Sequence, residues 1–152
     1  WDRWDTCSLC EQVYHGVVYG ALGWACWKTY VGRPETDRTR RYAMINLGNG
    51  LYAATRYEDA LTVKEADLSM LRRLDASPRD MLIVQSNLAN SYQALGRFEE
   101  AMRLRREVYS GRLKLNGREH DATLRAASNY AADLKDLSRF EEAKSILRKT
   151  IP

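Results

Sequence analysis

A five-residue pattern recurs three times at nearly constant spacing, and this period constrains the fold more than any other feature. Arg56-Tyr57-Glu58-Asp59-Ala60, Arg97-Phe98-Glu99-Glu100-Ala101 and Arg139-Phe140-Glu141-Glu142-Ala143 begin 41 and 42 residues apart. Ahead of the central copy, apolar residues keep helical spacing through Leu88-Ala89-Asn90-Ser91-Tyr92-Gln93-Ala94-Leu95. Gly96 can then take the left-handed conformation that ends a helix, and Glu99 and Glu100 suit the positively polarised first turn of the next. Each period is one helix–turn–helix, and such units bury their apolar faces only by stacking on neighbours. The small residues follow from that stacking. Gly48, Ala89 and Ala131 hold one equivalent place and Ala60, Ala101 and Ala143 another, where helices about 8–10 Å apart leave no room for more. Tyr57, Phe98 and Phe140 are expected to fill the space beside them.

The expected architecture is all-α: a right-handed α-solenoid of three helix–turn–helix repeats preceded by an apolar N-terminal capping helix. Residues 1–33 form a Cys- and Trp-rich lead and cap, and 34–152 carry the repeats, at about 37–74, 78–115 and 120–151. Pro34 breaks the chain before Asp37 opens the first repeat, Ser77-Pro78 supplies an N-cap and first helical residue for the second, and Asn116-Gly117 closes it. Val13 to Val31 is apolar for most of its length, and Gly16 and Gly20 have a helix-packing spacing. It reads as a buried cap and not a membrane span, because His15 and Lys28 bracket only a dozen uncharged residues.

Composition narrows the function. With 45% apolar residues in 152, the chain supports one modest core. A formal charge of +4, with 29% charged residues of both signs interspersed, gives solubility and a mild preference for acidic partners. It lacks the concentrated basic footprint of a nucleic-acid domain. Arg103, Arg105, Arg106, Arg112 and Lys114 on a second helix alternate with Glu99, Glu100 and Glu107 and read as a solvated outer face. No phosphate loop, nucleophile elbow or His-Glu-x-x-His helix is present. The paired acids fall at helix starts, where the macrodipole accounts for them. The expectation is a non-enzymatic protein with no cofactor in this segment.

The chain resembles tetratricopeptide repeat arrays of the long-period type found in kinesin light chains, over about residues 42–151. Leu88-Ala89-x-x-Tyr92 followed by Gly96-x-Phe98-x-x-Ala101 matches that family's apolar, small, aromatic, Gly, aromatic and small positions in order. Leu115-Asn116-Gly117-Arg118-Glu119-His120-Asp121-Ala122-Thr123 is similar to its inter-repeat link, with Asp121 in place of the usual Pro and Ser138 in place of the turn Gly of the third copy. In such arrays the first helices line a concave groove. Asn46, Asn87 and Asn129 fall in one register there, and Asn49 and Asn90 lie one turn further on. Asn is a poor helix former, yet its amide both donates and accepts, so a ladder of them can grip an extended peptide backbone. The resemblance implies the same use. Tyr42, Tyr52, Ile83 and Gln93 would add shape and apolar contact, and Arg125 and Lys135 would favour acidic groups. The expected partner is a protein or peptide, with no nucleic acid and no membrane, and the chain is read as a monomer or weakly self-associating.

Cys7-Ser8-Leu9-Cys10 with Tyr14 is similar to the C-terminal end of a RING-CH-type zinc finger. That resemblance implies Cys7 and Cys10 as a zinc half-site completed in the full-length protein by ligands before Trp1. Its alternative function is the substrate-recognition part of a RING-type ubiquitin ligase. Three cysteines suit reduced thiols, so the expected setting is cytoplasmic.

Overall fold

The computed structural model describes residue 4 and residues 6–150. Trp1, from which a truncated finger is read, and Ile151, the expected end of the third repeat, lie outside the described residues. Among the described residues the chain is all-α, with helices α1 Gly16–Tyr30, α2 Arg38–Ala53, α3 Tyr57–Arg73, α4 Pro78–Ala94, α5 Phe98–Asn116, α6 Asp121–Asp136 and α7 Phe140–Thr150. A lone antiparallel bridge joins Thr6 and Val13. The helices fall into two compact units, Trp1–Asp75 and Ala76–Pro152.

In the first unit α1 packs on α2 and α2 on α3. Asp37 caps α2, its carboxylate accepting the Thr39 N–H at 2.7 Å. Leu47, Leu51 and Ala60 form a core with Trp27, Tyr52 and Val63 packed against it. Helix α1 is only partly the buried cap expected of it. Its buried residues are Gly20, Gly23 and Cys26, whereas Val17 is 76% and Trp24 40% exposed. The cause is how closely α1 crosses α2. A Cβ at Gly23 would stand 2.8 Å from the Asn46 carbonyl oxygen, and one at Gly50 2.7 Å from that of Tyr19. Two backbones in such direct contact leave no space between them for large side chains, which point away.

In the second unit α4 packs on α5, α5 on α6 and α6 on α7. Ser77 caps α4 through the Asp80 N–H at 3.2 Å with Pro78 in the first turn, and His120 caps α6, its Nδ1 accepting the Ala122 N–H at 3.1 Å. The core gathers Leu82, Val108, Tyr109, Ala126, Ala127, Tyr130, Ala131, Leu134 and Ala143. The Tyr109 hydroxyl bonds Thr150 Oγ1 at 2.7 Å, tying α7 to α5.

The three signature segments adopt one local structure. Each Arg precedes a helix and ion-pairs with the second acid three residues on: Arg56 with Asp59 at 2.7 Å, Arg97 with Glu100 at 2.9 Å and Arg139 with Glu142 at 2.6 Å. Ala60, Ala101 and Ala143 are all buried. The aromatic positions differ. Tyr57 meets the Tyr52 ring edge-to-face at 5.1 Å, but Phe140 is 53% exposed and does not fill the gap expected of it. The residue in Phe140's repeat that corresponds to Tyr52 is Lys135, which offers no ring to pack against.

Candidate functional site

The second unit holds two adjoining open cavities between α4, α5 and α6. The larger, about 460 Å³, is lined by Arg79, Ile83, Arg112, Leu115, Asn116, His120, Ala122 and Arg125. The smaller, about 250 Å³, is bounded by Ser86, Val108, Arg112, Ala122, Arg125, Ala126 and Asn129. Helical spacing explains the convergence. Ile83 and Ser86 sit about a turn apart on α4, Arg125 and Asn129 about a turn apart on α6, and Arg112 rises between them from α5.

The site is electropositive. No acidic side chain lines either cavity. Arg112 is partly withdrawn from water, and this desolvation, with repulsion from Arg79 and Arg125, lowers its pKa from the ordinary value. Asn116 contributes a buried Nδ2 with no hydrogen-bond acceptor. His120 uses Nδ1 as the helix cap, which assigns its proton to Nε2. The cavity therefore presents donors with little to receive them, and it can bind an acceptor-rich anion.

Of the groove residues expected from the sequence, Ile83, Arg125 and Asn129 come together here. Asn87 is half-buried on α4 and borders neither cavity. Asn90 turns inward, its Oδ1 accepting from Arg105 Nη2 at 2.7 Å, and Gln93 Nε2 donates to Asp136 at 3.3 Å. Lys135 is exposed at the end of α6. On α2, Tyr42 is exposed, Asn46 and Asn49 are half-buried, and Tyr52 packs on the core beneath the Lys64 ammonium, 4.6 Å from its ring centroid.

The solvated basic face read on α5 is corrected at two positions. Arg105 is 4% exposed and pairs with buried Asp133 at 3.3 Å, and Arg112 lines the cleft. Residues 105, 108, 109 and 112 share one helical stripe, the one that carries Val108 and Tyr109 into the core. Sign alternation along the sequence concealed that stripe, whereas its period exposes it. Arg79, Asn116 and His120 were also absent from the expected groove, because they come from helix ends and a link, and so was Ser86, which lies mid-helix on α4 one residue before Asn87.

Among the described residues no helix is long and apolar enough to cross a membrane, and no group of three or more His, Cys, Asp or Glu stands ready for a metal. Cys7 and Cys10 are free thiols. Backbone hydrogen bonds from Leu9 and Cys10, then the Cys10 and Tyr14 side chains, pull the Cys7 thiol down to about 7.

Residues 80–152 match the tetratricopeptide repeat family. Solved structures extend the likeness to the rest of the fold. A kinesin light chain-like protein of Podosopora anserina with nearly identical tetratricopeptide-like repeats is 21% identical with a TM-score of 0.73, covering 88% of this chain and 62% of that one. The apo form of RapI is 13% identical, with a TM-score of 0.74 and coverage of 88% and 47%. BtubC (BKLC) of P. vanneervenii is 18% identical, with a TM-score of 0.71 and coverage of 87% and 54%. Sequence comparison with curated proteins gives no match. The family match covers just under half of the chain, and the chain shares the α-helical repeat fold of these solved structures. It spans 47–62% of the length of these relatives.

Proposed function

We propose that the chain is a non-enzymatic adaptor that binds an extended peptide of another protein along the first helices of its repeats. The observation that carries this reading is the open cleft on α4 and α6. There Ile83 offers apolar contact, Asn129 and Ser86 offer groups that can bond a peptide backbone, and Arg125 offers charge. Tetratricopeptide folds serve protein–protein interaction, which supports the class of partner; the fold alone does not choose the peptide. A cytoplasmic setting is part of the reading, supported by Cys7 and Cys10 standing close together as free thiols.

The test is a peptide array probed with the wild-type chain and the Asn46→Ala/Asn87→Ala/Asn129→Ala variant. The reading predicts that the variant keeps its helical signal and loses most binding. An intact variant that binds the same peptides as strongly would refute it.

A second reading concerns Cys7 and Cys10. Converging hydrogen bonds on the Cys7 sulfur favour a thiolate there, as a zinc ligand requires, with the two remaining ligands supplied from outside the described residues. Cobalt titration of the full-length protein should give a thiolate charge-transfer band that Cys7→Ser/Cys10→Ser abolishes; no band from the full-length wild type would discard it. Beyond these thiols, no observation supports the ubiquitin-ligase reading.

A further inference from the structure

The second-unit cleft is built for more charge than a peptide backbone carries. Three guanidinium groups, from Arg79, Arg112 and Arg125, come from three different helices and meet with no carboxylate among the lining residues. None of the three has an ion pair elsewhere among the described residues. Among the other described guanidinium groups, those of Arg33, Arg41, Arg56, Arg73, Arg97, Arg105 and Arg139 each face an acid within 3.4 Å. The neutral lining groups repeat the pattern, since Asn116 Nδ2 is buried without an acceptor and His120 is left with a donor at Nε2.

We infer that this cleft reads a phosphate monoester, that of a phosphorylated serine or threonine in a peptide lying along α4 and α6. The inference rests on the peptide-binding reading above and specifies its ligand. A phosphate monoester has only acceptor oxygens where the cleft has donors, and carries nearly two negative charges where the cleft holds three positive ones. Its three oxygens can each take an Arg fork. A single carboxylate supplies half that charge and one fewer oxygen, leaving most of the repulsion around Arg112 in place. The cavity, about 460 Å³, is larger than a bare phosphate needs. Ile83 and Leu115, both partly exposed on its wall, suit the hydrocarbon and main chain that a phosphorylated residue brings with it.

The test uses fluorescence polarisation with labelled degenerate nonapeptide pools that differ only at the central residue: phosphoserine, serine or glutamate. The expected result is binding of the phosphoserine pool about tenfold tighter than serine, and clearly tighter than glutamate. Arg112→Gln should reduce the phosphoserine pool to the level of the serine pool, as should Arg125→Gln, whose side chain is more exposed and whose loss threatens the fold less. Arg106→Gln, outside the cleft, should leave the gain intact. Melting curves identify any variant that has lost its fold. Equal binding of phosphoserine and serine pools would overturn the inference while leaving the peptide groove standing. Equal binding of phosphoserine and glutamate pools would overturn it in favour of a carboxylate site. Binding of no pool would defeat the groove and this inference together. Displacement by inorganic phosphate at the same concentration as by unlabelled phosphopeptide would reassign the cleft to the free ion and overturn the peptide part.

Discussion

Lys64 and Arg105 occupy the same place in successive repeats, yet the surroundings treat their charges differently. Arg105 has Asp133 at 3.3 Å and Asn90 at 2.7 Å, whereas Lys64, 8% exposed, lies over the Tyr52 ring and is lowered to about 8 by burial. The unfolded chain therefore binds more protons than the folded one between about pH 8 and the ordinary lysine value of 10.5, so this group makes stability rise across that window. Below it the desolvation penalty is fully present. Lys64→Met should raise stability by about 1–2 kcal/mol at pH 7, once the lost cation–π contact is deducted, and the gain should vanish near pH 10. Denaturant melts at the two pH values decide this. For Arg105, burial raises the Asp133 carboxyl against the pull of the guanidinium, and neither Asp133 oxygen has a well-formed hydrogen bond. Asp133→Ala should cost about 3 kcal/mol by stranding the buried cation, while Arg105→Met/Asp133→Leu should fall within about 1 kcal/mol of wild type. A double variant as unstable as the single one would show that the pair is more than self-compensating. Neither role was legible in the sequence. Arg105 and Arg112 stand in a run of alternating sign that looks solvated, and only the stripe they share with Val108 distinguishes them.

Helices and turns were the most legible layer, because their signals are local. Ser77 stands where a cap was expected, Asp37 where the first repeat was expected to open and His120 in the inter-repeat link, and the side chain of each accepts a backbone N–H. The repeat turn has one left-handed residue at an equivalent place in each copy: Thr55 at φ 61°, Gly96 at 71° and Ser138 at 59°. Only the central copy carries the residue that takes this conformation without strain. Thr55→Gly and Ser138→Gly should each stabilise by about 1 kcal/mol, read by thermal melts, whereas Gly96→Thr should lose a comparable amount. The packing spacing read at Gly16 and Gly20 holds at Gly20 only, since a Cβ at Gly16 would meet nothing within 4 Å, and the sequence did not mark Gly23 and Gly50 as contact points. The aromatic content of the lead suggests a cap that works through large rings, but α1 is seated by backbone contact at Gly20, Gly23 and Gly50. Gly23→Ala should therefore destabilise the first unit by about 1–3 kcal/mol despite alanine's better helix propensity. In a Cys7→Ser/Cys10→Ser background it should also expose buried Cys26 to a thiol reagent; an unreactive Cys26 and an unchanged melt would contradict the contact.

At the scale of the molecule, one repeated hairpin supplies both the core and the cleft. The small residues of each repeat set the helix spacing, and that spacing leaves an opening where α4 and α6 carry polar and basic side chains outward around Arg112. The period identified the fold, but only Ile83, Arg125 and Asn129 of the expected groove residues meet at the cleft. The remainder of its lining comes from helix ends, a link, the second helix, and mid-helix positions such as Ser86 and Ala126 that the Asn register did not mark. The most direct measurement is a backbone amide NMR titration of the chain with the peptide that binds best on the array. The account predicts shifts concentrated on α4 and α6 at Ile83, Ser86, Arg125 and Asn129, with Arg112 moving alongside. Shifts confined to outward positions such as Arg103, Arg106 and Phe140, with those residues still, would contradict it.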